Sequence, residues 1–291
     1  MLIHENTQEN FSSRVVVIGA NGVVGKKLVV SLKSKGIDTL ALSRQECDLL
    51  SEQSISFFSD IFKPEDHVIF LAAITPDKGR GIQAYIDNLQ IAKHISYALE
   101  NSLISQFILL SSEAIYPTTD DLISEHTSLA PMDLYGSMHL AREICFKNLN
   151  LPLAIIRTTL IYGEGDTHNS YGPNRFIKEA LEHSTITLFG KGEEKRSHIF
   201  VEDVIHFVEK VIYQKSVGTI NLCPTPTISF SEIAGIVKEH MPKNIEIIHK
   251  PQISAITHRY FDNHDLYRAF PDFVFENIES GIKKIVEGKV K

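Results

Sequence analysis

The sequence predicts an α/β fold: a doubly wound parallel sheet followed by a smaller mixed α/β C-terminal lobe. Three observations predict it. Short β-branched runs alternate with amphipathic helical segments through the first half of the chain. A glycine-rich turn joins the first such run to the first helical segment. After Gly163 the alternation loosens, and Gly, Pro and His accumulate up to Pro173.

The elements follow in order. Arg14 to Gly19 (RVVVIG) is a continuous apolar run that meets glycine, the pattern of a buried parallel strand. Gly22 to Lys35 reads as a helix with Val23, Val24, Leu28, Val29 and Leu32 on its apolar face. Asp38 to Ser43 is a second strand and His67 to Ala72 a third. Ile82 to Asn101 is a long helix, its apolar positions filled by Ile86, Leu89, Ile91, Ile95 and Leu99. Gln106 to Ser111 is a fourth strand, Tyr135 to Asn148 a helix, and Leu153 to Arg157 a fifth strand. This order predicts right-handed crossovers. Residues 1–162 read as the sheet domain. Residues 163–291 read as a substrate-side lobe, partly interleaved with the last elements of the sheet.

Composition narrows the function classes. The 291 residues suit one large domain, or a domain with a small lobe. Apolar residues are 43% and charged residues 22%, enough for a sizeable core and unlike a disordered chain. The net charge of −7 argues against a general nucleic-acid binder. No apolar run is long enough for a transmembrane helix, and Met1 to Phe11 lacks a signal-peptide core. The 3 cysteines, Cys47, Cys145 and Cys223, are far apart, which suits a reducing cytoplasm. The 13 histidines show no ligand spacing, so no metal is expected.

Gly19-Ala20-Asn21-Gly22-Val23-Val24-Gly25 lies at the strand-to-helix junction with GxxGxxG spacing. Glycine there lets the backbone turn sharply and approach a pyrophosphate, which then meets the helix N-terminus. The pattern points to a Rossmann-like dinucleotide site at Gly19, Asn21, Gly22, Val23 and Gly25. The second strand ends Leu42-Ser43-Arg44, with no acid at its tip. Arg44 suits the 2′-phosphate of NADP(H). Glu46, two residues on, keeps NAD(H) open.

The fourth strand ends Ser111-Ser112-Glu113-Ala114-Ile115-Tyr116-Pro117, where active sites of open sheets lie. Tyr135 and His139 follow at the start of a helix, four residues apart and on one face. With these residues the chain resembles the extended short-chain dehydrogenase/reductase family of sugar-nucleotide epimerases, dehydratases and reductases. The resemblance covers nearly the whole chain. Besides GANGVVG at Gly19–Gly25, it rests on FLAA at Phe70–Ala73, Asn88, SSEAIYP at Ser111–Pro117 and YGSMH at Tyr135–His139. RTTLIYG at Arg157–Gly163, GPNRFI at Gly172–Ile177 and GKGEEKRSHIFVEDV at Gly190–Val204 complete it.

The resemblance implies that Tyr135 exchanges a proton with a sugar oxygen that Ser112 also holds, while hydride passes to or from nicotinamide. It places Leu71, Ala72, Ala73, Asn88, Tyr135 and His139 at the cofactor. It places Glu113, Asn174, Arg196 and Arg259 at the nucleotide-sugar. A free tyrosine ionises near pH 10 and needs a nearby cation to act as a base. The family supplies a lysine four residues after the tyrosine; here His139 stands there. His139 substitutes with altered pH dependence, or another cation enters, with Lys78 and Arg80 as candidates, or ordinary turnover is lost. Dehydratases of the family carry an Asp-Glu pair where this chain has Glu113 and Ala114, which argues against dehydration. The segment Arg157–Tyr162 resembles that of dTDP-4-dehydrorhamnose reductases. Leu160 stands where epimerases often have asparagine.

The reading is therefore an NAD(P)-dependent oxidoreductase that reduces a nucleotide-linked keto-sugar in polysaccharide or deoxysugar synthesis. An epimerase with tightly bound NAD and a cofactor-binding protein with degenerate catalysis are the alternatives. The resemblance also implies a homodimer built on the helices from Ile82 and Tyr135.

Overall fold

The apolar run at Val15–Ile18 forms a strand in which all four residues are buried. Side chains alternate across a strand, so Val15 and Val17 enter one core and Val16 and Ile18 the other. A strand buried on both faces needs helices on both, and the computed structural model supplies them. It describes residues 2–5, 13–100, 102–166, 172–252 and 254–290. Parts of the polar N-terminal stretch and of the Gly163–Pro173 loop, and Asn101 at the end of the expected long helix, lie outside the described residues.

A seven-stranded sheet runs in the order Leu2–His4, Ser216–Leu222, Leu153–Thr158, Gln106–Ser112, His67–Phe70, Val15–Ile18, Thr39–Leu42. Every neighbouring pair is parallel except the first, where Leu2–His4 pairs antiparallel at the edge. Helices Val23–Ser34 and Val201–Tyr213 cover one face through Leu28, Leu32, Phe207 and Val208. Helices Gln53–Ile61, Ile82–Glu100 and Leu134–Lys147 cover the other through Phe58, Ile95, Leu99 and Phe146. The fold is thus the α/β, Rossmann-like arrangement expected.

Two sheet strands lie outside the expected list. Leu2–His4 is only three residues long and takes its place by pairing with residues more than two hundred positions away. Ser216–Leu222 returns from the C-terminal part of the chain to lie beside Leu153–Thr158. The rest of that part builds its own core. Phe176, Ile177, Ile186, Leu188, Ile233 and Val237 pack among helices Gly172–His183, Phe230–His240 and Ile278–Val290. A parallel strand pair, Thr185–Phe189 with Glu246–Lys250, borders it.

Candidate active site

Val15–Ile18 has Thr39–Leu42 on one side and His67–Phe70 on the other. Chain connections diverge at this point, and a crevice opens beyond the strand ends. Gly19 turns the chain there with φ of +96°, a conformation that favours glycine. A Cβ on Gly19 would sit 2.8 Å from the Ala72 nitrogen, and one on Gly25 would sit 2.3 Å from the Gly19 carbonyl oxygen. Both glycines keep a cradle open that any side chain would fill. The helix Val23–Ser34 starts at Gly22 without a side-chain cap, so its first N–H groups face the crevice mouth. This geometry fits a dinucleotide pyrophosphate.

Two compartments meet at the turn. The larger, about 610 Å³, holds Ser112, Tyr135, His139, Glu113, Arg196 and Arg259 on its wall, with Val23 and Gly25 at the turn. The smaller, about 280 Å³, is lined by Asn21, Ser43, Arg44 and Ala72. Gly19, Gly22, Leu71 and Ala73 border both. At the far end of the smaller compartment, Glu46 accepts hydrogen bonds from the Ser43 N–H at 2.7 Å and hydroxyl at 2.6 Å. These bonds hold the Glu46 carboxyl below its ordinary range. Arg44 is exposed, with Asp48 at 3.6 Å.

The reacting end is set by one helix start and one strand end. Asp133 caps the helix Leu134–Lys147 by accepting from the Gly136 N–H at 2.7 Å. Gly136 lies so close to the Ala114 carbonyl that a Cβ there would meet its oxygen at 2.1 Å. That approach brings Tyr135 to the same compartment wall as Ser112. Burial pushes the Tyr135 phenol up to about 12, against the pull of Arg142 and of the nearby Ser112 hydroxyl. Below, Glu143 takes two hydrogen bonds from Arg157, at 3.0 and 2.8 Å, and one from Ser111 at 2.7 Å. Arg157 also donates to the Tyr116 hydroxyl at 2.6 Å. This buried network ties the Tyr135 helix to the strands that carry Ser112 and Arg157.

His139 packs edge-on against Tyr135, with ring centroids 4.6 Å apart. It is buried, and its Nε2 has no hydrogen-bond partner. Burial, with Arg142 nearby, holds its ionisation well below 6.5. His139 is therefore neutral at working pH and is not the cation. One turn on, Arg142 is 1% exposed. Its Nη2 donates to the Ala72 carbonyl at 2.8 Å, and its guanidinium lies 4.8 Å above the Phe70 ring. Burial lowers it to about 10, so it stays charged at neutral pH.

The same compartment carries the expected acid and arginines. Arg259 pairs with the Glu113 carboxylate and donates to the Glu113 carbonyl at 3.0 Å. Arg196 pairs with Glu194 and is anchored to the Thr257 carbonyl at 2.7 Å. Burial raises Glu113, and Arg259 and Arg196 oppose it. Among the described residues, no group of His, Cys, Asp and Glu could hold a metal ion, and no helix is long and apolar enough to cross a membrane.

The profile of the NAD dependent epimerase/dehydratase family matches residues 15–223, most of the chain. The chain belongs to that family. Among curated relatives, an uncharacterized UDP-glucose epimerase of Bacillus subtilis is 24% identical, covering 78% of this chain and 81% of its own. Solved structures share the fold. The UDP-glucuronic acid 4-epimerase of Bacillus cereus, in complex with UDP-glucuronic acid and NAD, has a TM-score of 0.79 at 18% identity, covering 96% of this chain and 100% of its own. A dTDP-4-dehydrorhamnose reductase from Clostridium acetobutylicum has the same TM-score, identity and coverages.

In this family member, not every residue expected at a ligand reaches the crevice. Asn88 is buried and spends its side chain on the chain itself: it accepts from the Ile74 N–H at 2.9 Å and donates to the Ile74 and Ala84 carbonyls. Asn174 accepts from the Gly163 N–H and donates to its carbonyl at 2.7 Å. Each fixes a loop and lines neither compartment. Lys78 borders both compartments, whereas Arg80 turns back to the Pro76 carbonyl. Two residues outside the expected set line or underlie the site. Arg142 is one. His198 is the other: it lies on the larger compartment with both ring nitrogens unpartnered, and burial holds it down at about 3. Arg142 is visible in sequence as the next position on the Tyr135–His139 face; for His198 nothing in the sequence distinguishes it.

Proposed function

We propose that this family member reduces a keto group on a nucleotide-linked sugar, with NADPH as the favoured cofactor. The observation that carries the reading is the Ser112–Tyr135 pair at the mouth of the dinucleotide crevice, with its phenol held in the protonated form. Reduction needs an acid at the carbonyl oxygen, and Tyr135 starts the reaction as that acid. Bound nicotinamide supplies the hydride. Ser112 orients the oxygen, and Tyr135 gives it a proton and takes another from solvent afterwards. Arg259 and Arg196, which line the same compartment, suit the substrate diphosphate because a guanidinium pairs two oxygens at once. Ala114, beside Glu113, leaves no second acid for dehydration.

Arg44 supports NADPH. Of the nearby acids, Glu46 is engaged by Ser43 and Asp48 lies 3.6 Å from Arg44 itself. Ile82, Ile86, Leu134 and Ile144 stay exposed on two adjoining helices, which supports a homodimer; a single-chain mass in sedimentation would remove it. The experiment for the reaction mixes the protein with NADPH and a panel of nucleotide-linked 4-keto sugars. Stoichiometric loss of NADPH with formation of the alcohol is expected. Interconversion of sugar epimers with no net loss, from protein that retains NAD through purification, would instead establish the epimerase reading that the Bacillus subtilis relative suggests.

A further inference from the structure

A guanidinium buried to 1% exposure normally faces a carboxylate, because a lone charge inside a protein is costly. Arg142 faces none among the described residues. Its neighbours are the Ala72 carbonyl, the Met138 sulfur at 3.8 Å from Nη1, and the Phe70 ring, and its Nε has no partner. The ionisable groups acting on it are the Tyr135 phenol and the Cys145 thiol. Tyr135, His139 and Arg142 follow one another at i, i+4 and i+7, a single stripe along the helix. Tyr135 in turn meets Ser112 and Glu113 from the neighbouring turn and Asp133 from its own cap. Glu113 is committed to Arg259. Arg142 is then a buried guanidinium without a carboxylate partner among the described residues, two turns along the same helix face from Tyr135.

We propose that Arg142 is a positioning residue: its buried charge stabilises the Tyr135 phenolate left when the tyrosine gives up its proton, in place of a lysine at position 139. His139 serves as an uncharged spacer between the two. The same guanidinium pins the Ala72 carbonyl, so charge and crevice floor are set by one side chain. The inference rests on Tyr135 being the proton donor, and it is tested without turnover.

The test places 3,5-difluorotyrosine at position 135, whose phenol ionises where the protein stays folded, and follows phenolate absorbance against pH. Relative to the parent, Arg142→Gln, which keeps a donor for Ala72 without the charge, is expected to raise the midpoint by about one unit or more. Arg142→Lys is expected to keep it near the parent. Lys78→Met is expected to leave it unmoved. An unchanged midpoint in a folded Arg142→Gln protein would overturn the proposal, as would a shift on Lys78→Met as large as that on Arg142→Gln. If Arg142→Gln does not fold, His139→Lys combined with Arg142→Gln must restore both the fold and a parental midpoint; a raised midpoint there overturns it as well. A protein that turns over no sugar would remove the proposed reaction and leave this titration readable.

Discussion

Replacing Tyr135 by Phe is expected to lower turnover by about 10²–10⁴-fold, while cofactor affinity stays within about twofold of the parent. The substitution removes one hydroxyl, the proposed proton donor on the compartment wall it shares with Ser112, and keeps the ring that packs on His139. Steady-state kinetics with a reactive nucleotide sugar, together with cofactor titration, check it; full activity in the variant would take Tyr135 out of the chemistry. The pH profile carries a linked expectation. His139 is held neutral, its ionisation lying well below 6.5. Were His139 the working cation, activity would fall as the pH rises through its ionisation. Since it is already uncharged, His139→Gln is expected to add or remove no inflection between about pH 5 and 8.

The largest expected effect on stability follows Arg157→Leu, a loss of about 3–5 kcal/mol, because Glu143 would keep its burial and lose its main partner. In the wild type, burial alone would raise the Glu143 carboxyl; the Arg157 pair and the Ser111 hydrogen bond outweigh it and hold the carboxyl low. A lowered acid adds stability above the unfolded value, about pH 4.3, and that contribution is lost as the pH falls through the folded value. In the variant the carboxyl rises instead, so its charged form destabilises the fold above that pH. The penalty measured by urea unfolding should therefore be large at pH 7 and shrink in acid. A penalty that is small, or the same at both, would mean that Lys147, 3.3 Å from Glu143, carries the pair. Turnover should also fall, since the network seats the Tyr135 helix on the Ser112 strand.

Local pattern made much of this legible. Val15–Ile18 reads as a buried strand because each of its residues is apolar, and Gly19 reads as a turn because only glycine tolerates the fit against Ala72. Tyr135 and His139 share a face by helical spacing alone. Non-local pairing is where reading stops. Ser216–Leu222 joins the sheet through contacts with a strand some sixty residues earlier, and Leu2–His4 is too short to show a period. The helix Gln53–Ile61 buries only Ser54 and Phe58, too few positions to mark a face. Side-chain commitment is equally non-local. Asn88 and Asn174 have the chemistry of ligand contacts, yet each is consumed by a backbone loop. Helical spacing puts Arg142 on the Tyr135–His139 face, but its burial without an acid partner is visible only in the fold.

In the proposed reaction the glycine turn holds a nicotinamide dinucleotide beside Tyr135. The most direct test of this is calorimetric titration of purified protein with NADPH, NADP, NADH and NAD, in the wild type and in Arg44→Ala. Tight binding with a preference for NADPH is expected, and a loss of about tenfold or more of that preference in the variant, as for one arginine–phosphate contact. Binding of none of the four by the wild type would contradict it: the turn at Gly19 would be only a turn, and the proposed reaction would fall with it.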